Sequence, residues 1–222
     1  MTPASIPRPG ERALVVGIGL SGLAVARFLA ERGVRLRACD LRPPEKLSPH
    51  LEGLPNGTEV VAGGYEEAVL EGCAAVYASP GVPWEAELLV AARSRGLVVS
   101  SEIDLFFQHC PAPIVGITGT NGKTTTTALA GDVLRQGRRP VMVGGNIGET
   151  VLDRLPELTP EHWVVLELSS FQLESCSRPL ARIGVVLNVT PDHLDRHHSM
   201  EAYVEAKARL VRFLPPSGDA VL

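Results

Sequence analysis

The chain has 222 residues, 45% of them hydrophobic and 21% charged, with a formal net charge of -4, a composition that suits one or two globular domains and gives no support to nucleic acid or an anionic membrane as partner. No apolar run approaches the ~18 residues a membrane span needs. The four cysteines (Cys39, Cys73, Cys110, Cys176) form no C-x-x-C pair, so free thiols in a reducing cytosol are expected rather than a zinc site, in a cytoplasmic, monomeric protein.

Residues 13–17 (ALVVG) read as a buried strand. They run into Gly17-x-Gly19-x-x-Gly22 and then a helical pattern to about Glu31, closed by Gly33. Residues 34–40 read as the next strand and 42–49, rich in Pro and Ser, as a loop. Further strands are expected at 58–62, 74–78 and 97–99, with helices at 66–71, 85–95 and 103–109. Alternating βα units of this kind argue a parallel, doubly wound sheet. The glycine turn offers backbone amides and a helix N-terminus to a diphosphate. Asp40, 18 residues beyond Gly22 at the end of the second strand, completes the spacing of a dinucleotide fingerprint. Taken alone, this segment fits a nicotinamide cofactor equally well, and a purely structural glycine turn stays open.

Cys110-Pro111-Ala112-Pro113 reads as a linker, dividing a first domain, 1–110, from a second α/β unit, 111–222. The strands of the second unit are expected at 114–117, 141–143, 163–168 and 183–187, with a helix over 124–136. Between the first of these strands and that helix lies 116–125 (GITGTNGKTT), a setting in which amides and a helix N-terminus cradle phosphates. Lys123 is placed to reach β/γ-phosphates and Thr124 to ligate Mg²⁺. The pattern G-x-x-x-x-G-K-[ST] is missed by one place, because its first glycine falls on Ile117 and the glycine present is Gly116.

Glu167 ends an apolar strand downstream, where an acid often helps hold Mg²⁺. Residues 188–198 (NVTPDHLDRHH) crowd three His and two Asp behind another apolar strand, which suggests an ion or phosphate site or, otherwise, a solvated loop. The helix expected over 201–214 carries Met200, Tyr203, Val204, Lys207, Leu210, Val211 and Leu214 on one face. Lys207 is the single charge in that stripe, in a chain with 18 Arg and only three Lys. It must snorkel, pair with an acid such as Glu167, or be chemically modified. Residues 219–222 start another strand, at which the sequence ends, so a fragment of a longer protein is expected.

Together, TGTNGKTT (118–125), GGNIG (144–148), ELSSFQLE (167–174) and PDHLDRH (191–197) resemble the Mur ligase family of ATP-dependent amide-forming enzymes. ELSSFQLE after GGNIG, with the Gly-rich N-terminal unit, points to the branch that adds D-glutamate. The resemblance implies a Rossmann-like domain that binds a UDP-substrate, followed by a P-loop ATPase-like central domain. It implies ligation of D-glutamate to UDP-N-acetylmuramoyl-L-alanine through an acyl phosphate, with ATP and Mg²⁺. On that likeness Gly19, Leu20, Ser21, Asp40, Arg42, Ser79, Pro80, Gly81 and Asn146 bind the UDP-substrate, with His193. Gly119, Thr120, Asn121, Gly122, Lys123, Thr124 and Thr125 bind ATP. Thr124, Glu167, His193 and Lys207, the last as a carbamate, serve Mg²⁺, and Lys123, His193 and Lys207 are catalytic. Tyr203 positions Lys207. The family's third domain lies outside this sequence, so the chain by itself is expected to be inactive. A UDP-sugar-binding module without catalysis and a nicotinamide-dependent oxidoreductase are the competing readings.

Overall fold

The computed structural model describes residues 6–148 and 150–222. The chain divides into two compact units, Met1–Leu105 and Phe106–Leu222.

The first unit runs β1 (Arg12–Val16), α1 (Leu20–Ala30), β2 (Arg35–Asp40), α2 (Pro44–Leu51), β3 (Glu59–Ala62), a 3-10 turn over Glu67–Leu70, β4 (Cys73–Ala78), α3 (Glu87–Ser94) and β5 (Val98–Ser101). All its strands are parallel, in the order β3-β2-β1-β4-β5. β1 sits at the centre and is buried on both faces from Ala13 to Val16, as a central parallel strand requires. Leu14, Val16, Cys39, Val76 and Leu89 form the core on one side of the sheet. Gly22 lets α1 close on the end of β1, since a Cβ there would lie 2.1 Å from the Gly17 carbonyl oxygen.

One segment departs from expectation. Residues 42–49 read as a loop, but Pro44–Leu51 is helical. Proline at the first helical position has no amide to waste and its φ is already set for a helix, and Glu45 in the first turn complements the dipole. Helix α4 (Glu102–His109) spans the division between the units, which falls ahead of the Cys110–Pro113 segment.

The second unit contains β6 (Ile114–Thr118), α5 (Lys123–Arg135), β7 (Val141–Gly145), a 3-10 turn over Leu152–Glu157, β8 (Trp163–Glu167), α6 (Ser170–Ser175), β9 (Ile183–Val186), α7 (Leu194–His197), α8 (Met200–Arg212) and β10 (Asp219–Val221). Its sheet is also parallel, in the order β10-β9-β6-β8-β7. Val115, Ile117 and Val165 form its core with Val141, Val143 and Trp163 packed against them. Both units are thus parallel-sheet α/β domains.

Gly116 lies within β6, where a Cβ would come 2.7 Å from Leu210 Cδ1 of α8. The glycine that fell one place short of the phosphate-loop pattern is a packing glycine, not a loop glycine. On α8, Tyr203, Ala206, Lys207 and Leu210 are buried. Val204, expected on the same face, is 44% exposed.

Candidate functional site

In the first unit the strand order reverses at β1, whose neighbours are β2 and β4. Open parallel sheets leave a crevice at that point, beyond the carboxyl ends of the strands. The turns after β1 and β4 meet there: Ser79 donates its amide to Val16 O at 2.9 Å and its hydroxyl to Gly17 O at 2.8 Å. A cavity of about 650 Å³ opens over them. Gly19, Leu20, Ser21, Asp40, Arg42, Ser79, Pro80 and Gly81 all line it. The wall also includes Leu41, Tyr65, Val82, Pro83 and Ala86, none of which carried a motif signal.

Asp40 is 6% exposed and fully engaged. Its Oδ2 accepts from Ile18 N at 2.7 Å and from Arg42 Nη2 at 2.7 Å, and its Oδ1 accepts from Arg42 N and Nε at 2.9 Å each. Burial by itself would raise this carboxyl. The Arg42 guanidinium, with the Arg42 and Ile18 amides, outweighs that and holds it at about 2. Arg42 also donates to Ile18 O at 3.0 Å, so the pair locks the end of β2 to the glycine turn.

In the second unit the loop between β6 and α5 is built from residues 119–122. Gly122 is the helix N-cap at φ 82°, in the left-handed region that favours glycine. The first-turn amides of α5 have no intrahelical acceptor. Lys123 Nζ donates back to Thr120 O at 2.8 Å. Thr124 Oγ1 donates to Glu167 Oε2 at 2.8 Å, and Asn146 Nδ2 donates to Glu167 Oε1 at 3.1 Å. The register of β6 with β8 sets Ile117 beside Glu167 and so brings the acid to the loop. Gly145, at φ 105°, permits the Asn146 approach, because a Cβ there would lie 2.1 Å from Glu167 O. Thr124 and Glu167 are oxygen donors of the kind a hard divalent cation takes, and Glu167 has neutral partners only.

Lys207 is 2% exposed and donates to Gly119 O at 2.8 Å, with its ammonium 4.5 Å from the centre of the Tyr203 ring. Burial pushes it down, helped by the charge of Lys123 and opposed by Asp192, to about 8. Of the alternatives for Lys207, pairing with Glu167 does not form: the Gly119 carbonyl of the β6–α5 loop accepts from the ammonium, and Glu167 is taken by Thr124 and Asn146. The carbamate reading of Lys207 concerns a modified side chain; the unmodified ammonium rests on the Gly119 carbonyl. His193 is exposed, at φ 52°, and caps α7, with its Nε2 3.6 Å from Asp192 Oδ2. Among the described residues no group of three or more His, Cys, Asp or Glu is arranged to hold a metal.

Some contributors carried no individual role in the sequence. His197 is buried, with Nε2 2.9 Å from Ser170 Oγ, and its ring lies 5.3 Å from both Phe171 and Tyr203. Burial, with the cations around it, keeps His197 below the usual imidazole range. Thr120 Oγ1 lies 3.1 Å from Tyr203 OH and ties the loop to α8. Asn188, the first residue of the His/Asp-rich run, reaches Thr120 and Asn121.

Family comparison agrees with this layout. The Mur ligase MurD-like N-terminal domain matches residues 11–101, and the Mur ligase middle domain matches residues 117–222. A UDP-N-acetylmuramoylalanine–D-glutamate ligase of Symbiobacterium thermophilum is 46% identical over 214 residues, which is 96% of this chain and 47% of the relative. The ligase of that name in Pelotomaculum thermopropionicum is 42% identical over 213 residues, 96% of this chain and 47% of the relative. The chain therefore spans about half the length of the curated relatives it matches. Among solved structures, UDP-N-acetylmuramate:L-alanyl-gamma-D-glutamyl-meso-diaminopimelate ligase from Neisseria meningitides superposes with a TM-score of 0.59 at 21% identity, over 95% of this chain and 70% of that one, a likeness of fold. With its two domains matched by two consecutive Mur ligase domains, the chain belongs to the Mur ligase family.

Proposed function

We propose that this chain supplies the UDP-substrate and ATP phosphate sites of a ligase that joins D-glutamate to UDP-N-acetylmuramoyl-L-alanine in peptidoglycan synthesis. The observation that carries the reading is the junction of Lys123, Thr124 and Glu167 at the end of β6 and β8. An oxidoreductase has no use for it. Asp40 argues the same way, since an acid paired through both oxygens to Arg42 is not free to accept from a nicotinamide ribose.

In this reading the substrate carboxylate attacks the γ-phosphate of ATP, giving an acyl phosphate and ADP, and the amine of D-glutamate displaces phosphate. Positioning and charge neutralisation dominate phosphoryl transfer. Lys123 leaves Thr120 O and supplies a compact cation to the β/γ-phosphates. The amides of 122–125 meet the same oxygens. Mg²⁺, when bound, neutralises phosphate charge, and Thr124 and Glu167 would hold it. Gly19, Leu20 and Ser21 take the diphosphate at the start of α1, and Arg42, held by Asp40, faces the nucleoside. Asn146 and His193 contact the UDP-substrate, His193 and Lys207, the latter as a carbamate, would hold a second Mg²⁺, and Tyr203 positions Lys207. Four free thiols, three of them buried, fit a reducing compartment, and we assign the cytoplasm.

Calorimetric titration of the chain with UDP-N-acetylmuramoyl-L-alanine, Mg·ATP and NAD tests this. Binding of the first two and not the third is expected. Binding of the UDP-ligand without ATP would leave only a UDP-sugar module, and NAD binding alone would overturn the reading.

A further inference from the structure

The carbonyl groups of three consecutive loop residues each receive a side-chain donor: Gly119 O from Lys207 Nζ at 2.8 Å, Thr120 O from Lys123 Nζ at 2.8 Å, and Asn121 O from Asn188 Nδ2 at 3.1 Å. Two of the three donors are cations, and one of them, Lys123, is the cation the proposed reaction brings to the phosphates. The third, Asn188, is neutral and does more than the others. Its Oδ1 also accepts the amides of Thr120, at 3.1 Å, and Asn121, at 3.0 Å. Its backbone oxygen accepts the Thr120 amide as well, at 3.0 Å.

Strand pairing explains how a residue 67 positions away in sequence arrives there. β9 runs beside β6 with Val186 opposite Thr118, and Leu187 N donates to Thr118 O at 3.0 Å. Two residues further along both chains, Asn188 stands opposite Thr120. The side chain then grips the loop where the sheet ladder ends.

We infer that Asn188 is the positioning residue of the phosphate loop: its amide group engages the Thr120 and Asn121 N–H groups, so that the Gly122–Thr125 amides at the start of α5 are the ones left to receive phosphate oxygens. This rests on reading the loop as the ATP site. A primary amide suits the task because it presents an acceptor and a donor from one uncharged group. An aspartate would lose the donor to Asn121 O and set a negative charge beside the phosphates. A lysine would lose the acceptor. Asn188 touches no substrate in this account. It acts through the loop, which distinguishes it from Lys123.

Amide hydrogen exchange of the ligand-free wild-type chain, combined with calorimetry on Asn188→Ala, tests the inference. In the wild type, Thr120 and Asn121 amides should exchange slowly although Asn121 is exposed. Fast exchange of both overturns the grip without any variant, which covers the case of a variant that does not fold. In Asn188→Ala, these two amides should lose protection while the amides of β6 and the middle of α5 keep theirs. Affinity for Mg·ATP should fall roughly tenfold, the loss expected from one or two hydrogen bonds to the loop, with UDP-N-acetylmuramoyl-L-alanine affinity unchanged. Unchanged ATP affinity, or equal loss of both ligands, overturns the positioning role. A wild-type chain that protects the two amides, loses that protection in the variant, and binds no ATP supports the grip and overturns the ATP reading instead.

Discussion

The two units solve the same problem with one different choice. Each has a glycine turn between a central parallel strand and a helix, and each brings a strand-end carboxylate to that turn, Asp40 from β2 and Glu167 from β8. Asp40 is given a guanidinium, which neutralises it and turns it into an anchor. Glu167 is given a hydroxyl and a primary amide, which orient it and leave its charge intact. On the proposed reading, the partner of the carboxylate, not the glycine turn, separates a crevice for a UDP-ligand without a metal from one for nucleotide phosphates accompanied by a cation. The basic groups follow the same division. In the first unit Arg42 is consumed by an acid, and in the second Lys123 and Lys207 rest on backbone carbonyls that hold no charge to offset.

The comparison breaks most visibly at Lys123. If its ammonium is the compact cation of the second crevice, Lys123→Ala should weaken Mg·ATP binding roughly tenfold to a hundredfold, the range for a lost charge-assisted bond. Binding of the UDP-ligand should not move. Calorimetry with both ligands on one sample reads this. An ATP affinity within twofold of wild type would remove the phosphate-loop assignment.

Lys207 sharpens the same point through stability. Its folded-state value of about 8 lies below the ordinary 10.5, so the folded chain carries a cost for the charged form below pH 8. That cost is relieved as pH rises from 8 towards 10.5, where the unfolded chain binds the proton more strongly than the folded one. Wild type should therefore gain on Lys207→Met by on the order of 2 kcal/mol between pH 7 and pH 10. Urea unfolding of both proteins at the two pH values measures it, and the titration of cysteines and tyrosines cancels in the difference. Parallel curves would mean that Lys207 is not desolvated as the geometry implies.

How much of this was legible beforehand varied with the kind of signal. Apolar runs and glycine turns marked the ten strands of the described residues, β10 included, and the eight first-unit site residues named from the sequence line one cavity. Short elements were missed where punctuation residues misled. Pro43 and Pro44 suggested a loop but start α2. Helix α6 was signalled and overlooked: Ser169 and Gln172 form a reciprocal capping box, the S-x-x-Q spacing of a helix start. The partners of Lys207 and Asn188 were not legible, because they depend on strand register. Periodicity shows that Lys207 faces inward, and only the β6–β9 pairing and the seat of α8 show that it meets the Gly119 carbonyl. Tyr65 and the apolar wall of the first cavity likewise carry no local pattern.

Asp40 tests the other half of the comparison. Its folded value of about 2 lies below the ordinary 3.8, so the pair contributes stability above about pH 4 and loses it as pH falls through 2. Arg42 is partly exposed, so solvent screening discounts the gain to about 1–2 kcal/mol. Asp40→Asn should be less stable than wild type by that amount at pH 7, with the gap closing towards pH 2. It should also bind the UDP-ligand several-fold more weakly, because Arg42 is released. A gap that persists unchanged at pH 2 would assign the loss to packing and not to the ion pair.

Glu167 gives the smallest effect and the most direct reading of the contrast. Glu167→Gln keeps an acceptor for the Thr124 hydroxyl and removes the charge, so loop geometry should survive while cation attraction drops. Nucleotide binding in excess Mg²⁺ should weaken by roughly threefold to tenfold, in line with a single charged ligand whose other neighbours remain. Binding of ATP with Mg²⁺ chelated should instead stay equal or improve slightly, since a carboxylate beside phosphates repels them and a carboxamide does not. The ratio of affinities with and without Mg²⁺ is thus the measurement that isolates the charge. An Asp40→Asn protein examined the same way should show no change in that ratio, because the charge of Asp40 is already cancelled by Arg42. If both variants shift the ratio equally, the two carboxylates are not distinguished by their partners and the contrast between the units fails. If Glu167→Gln alone shifts it, the neutral partners of Glu167 are what keep the second crevice open to a cation.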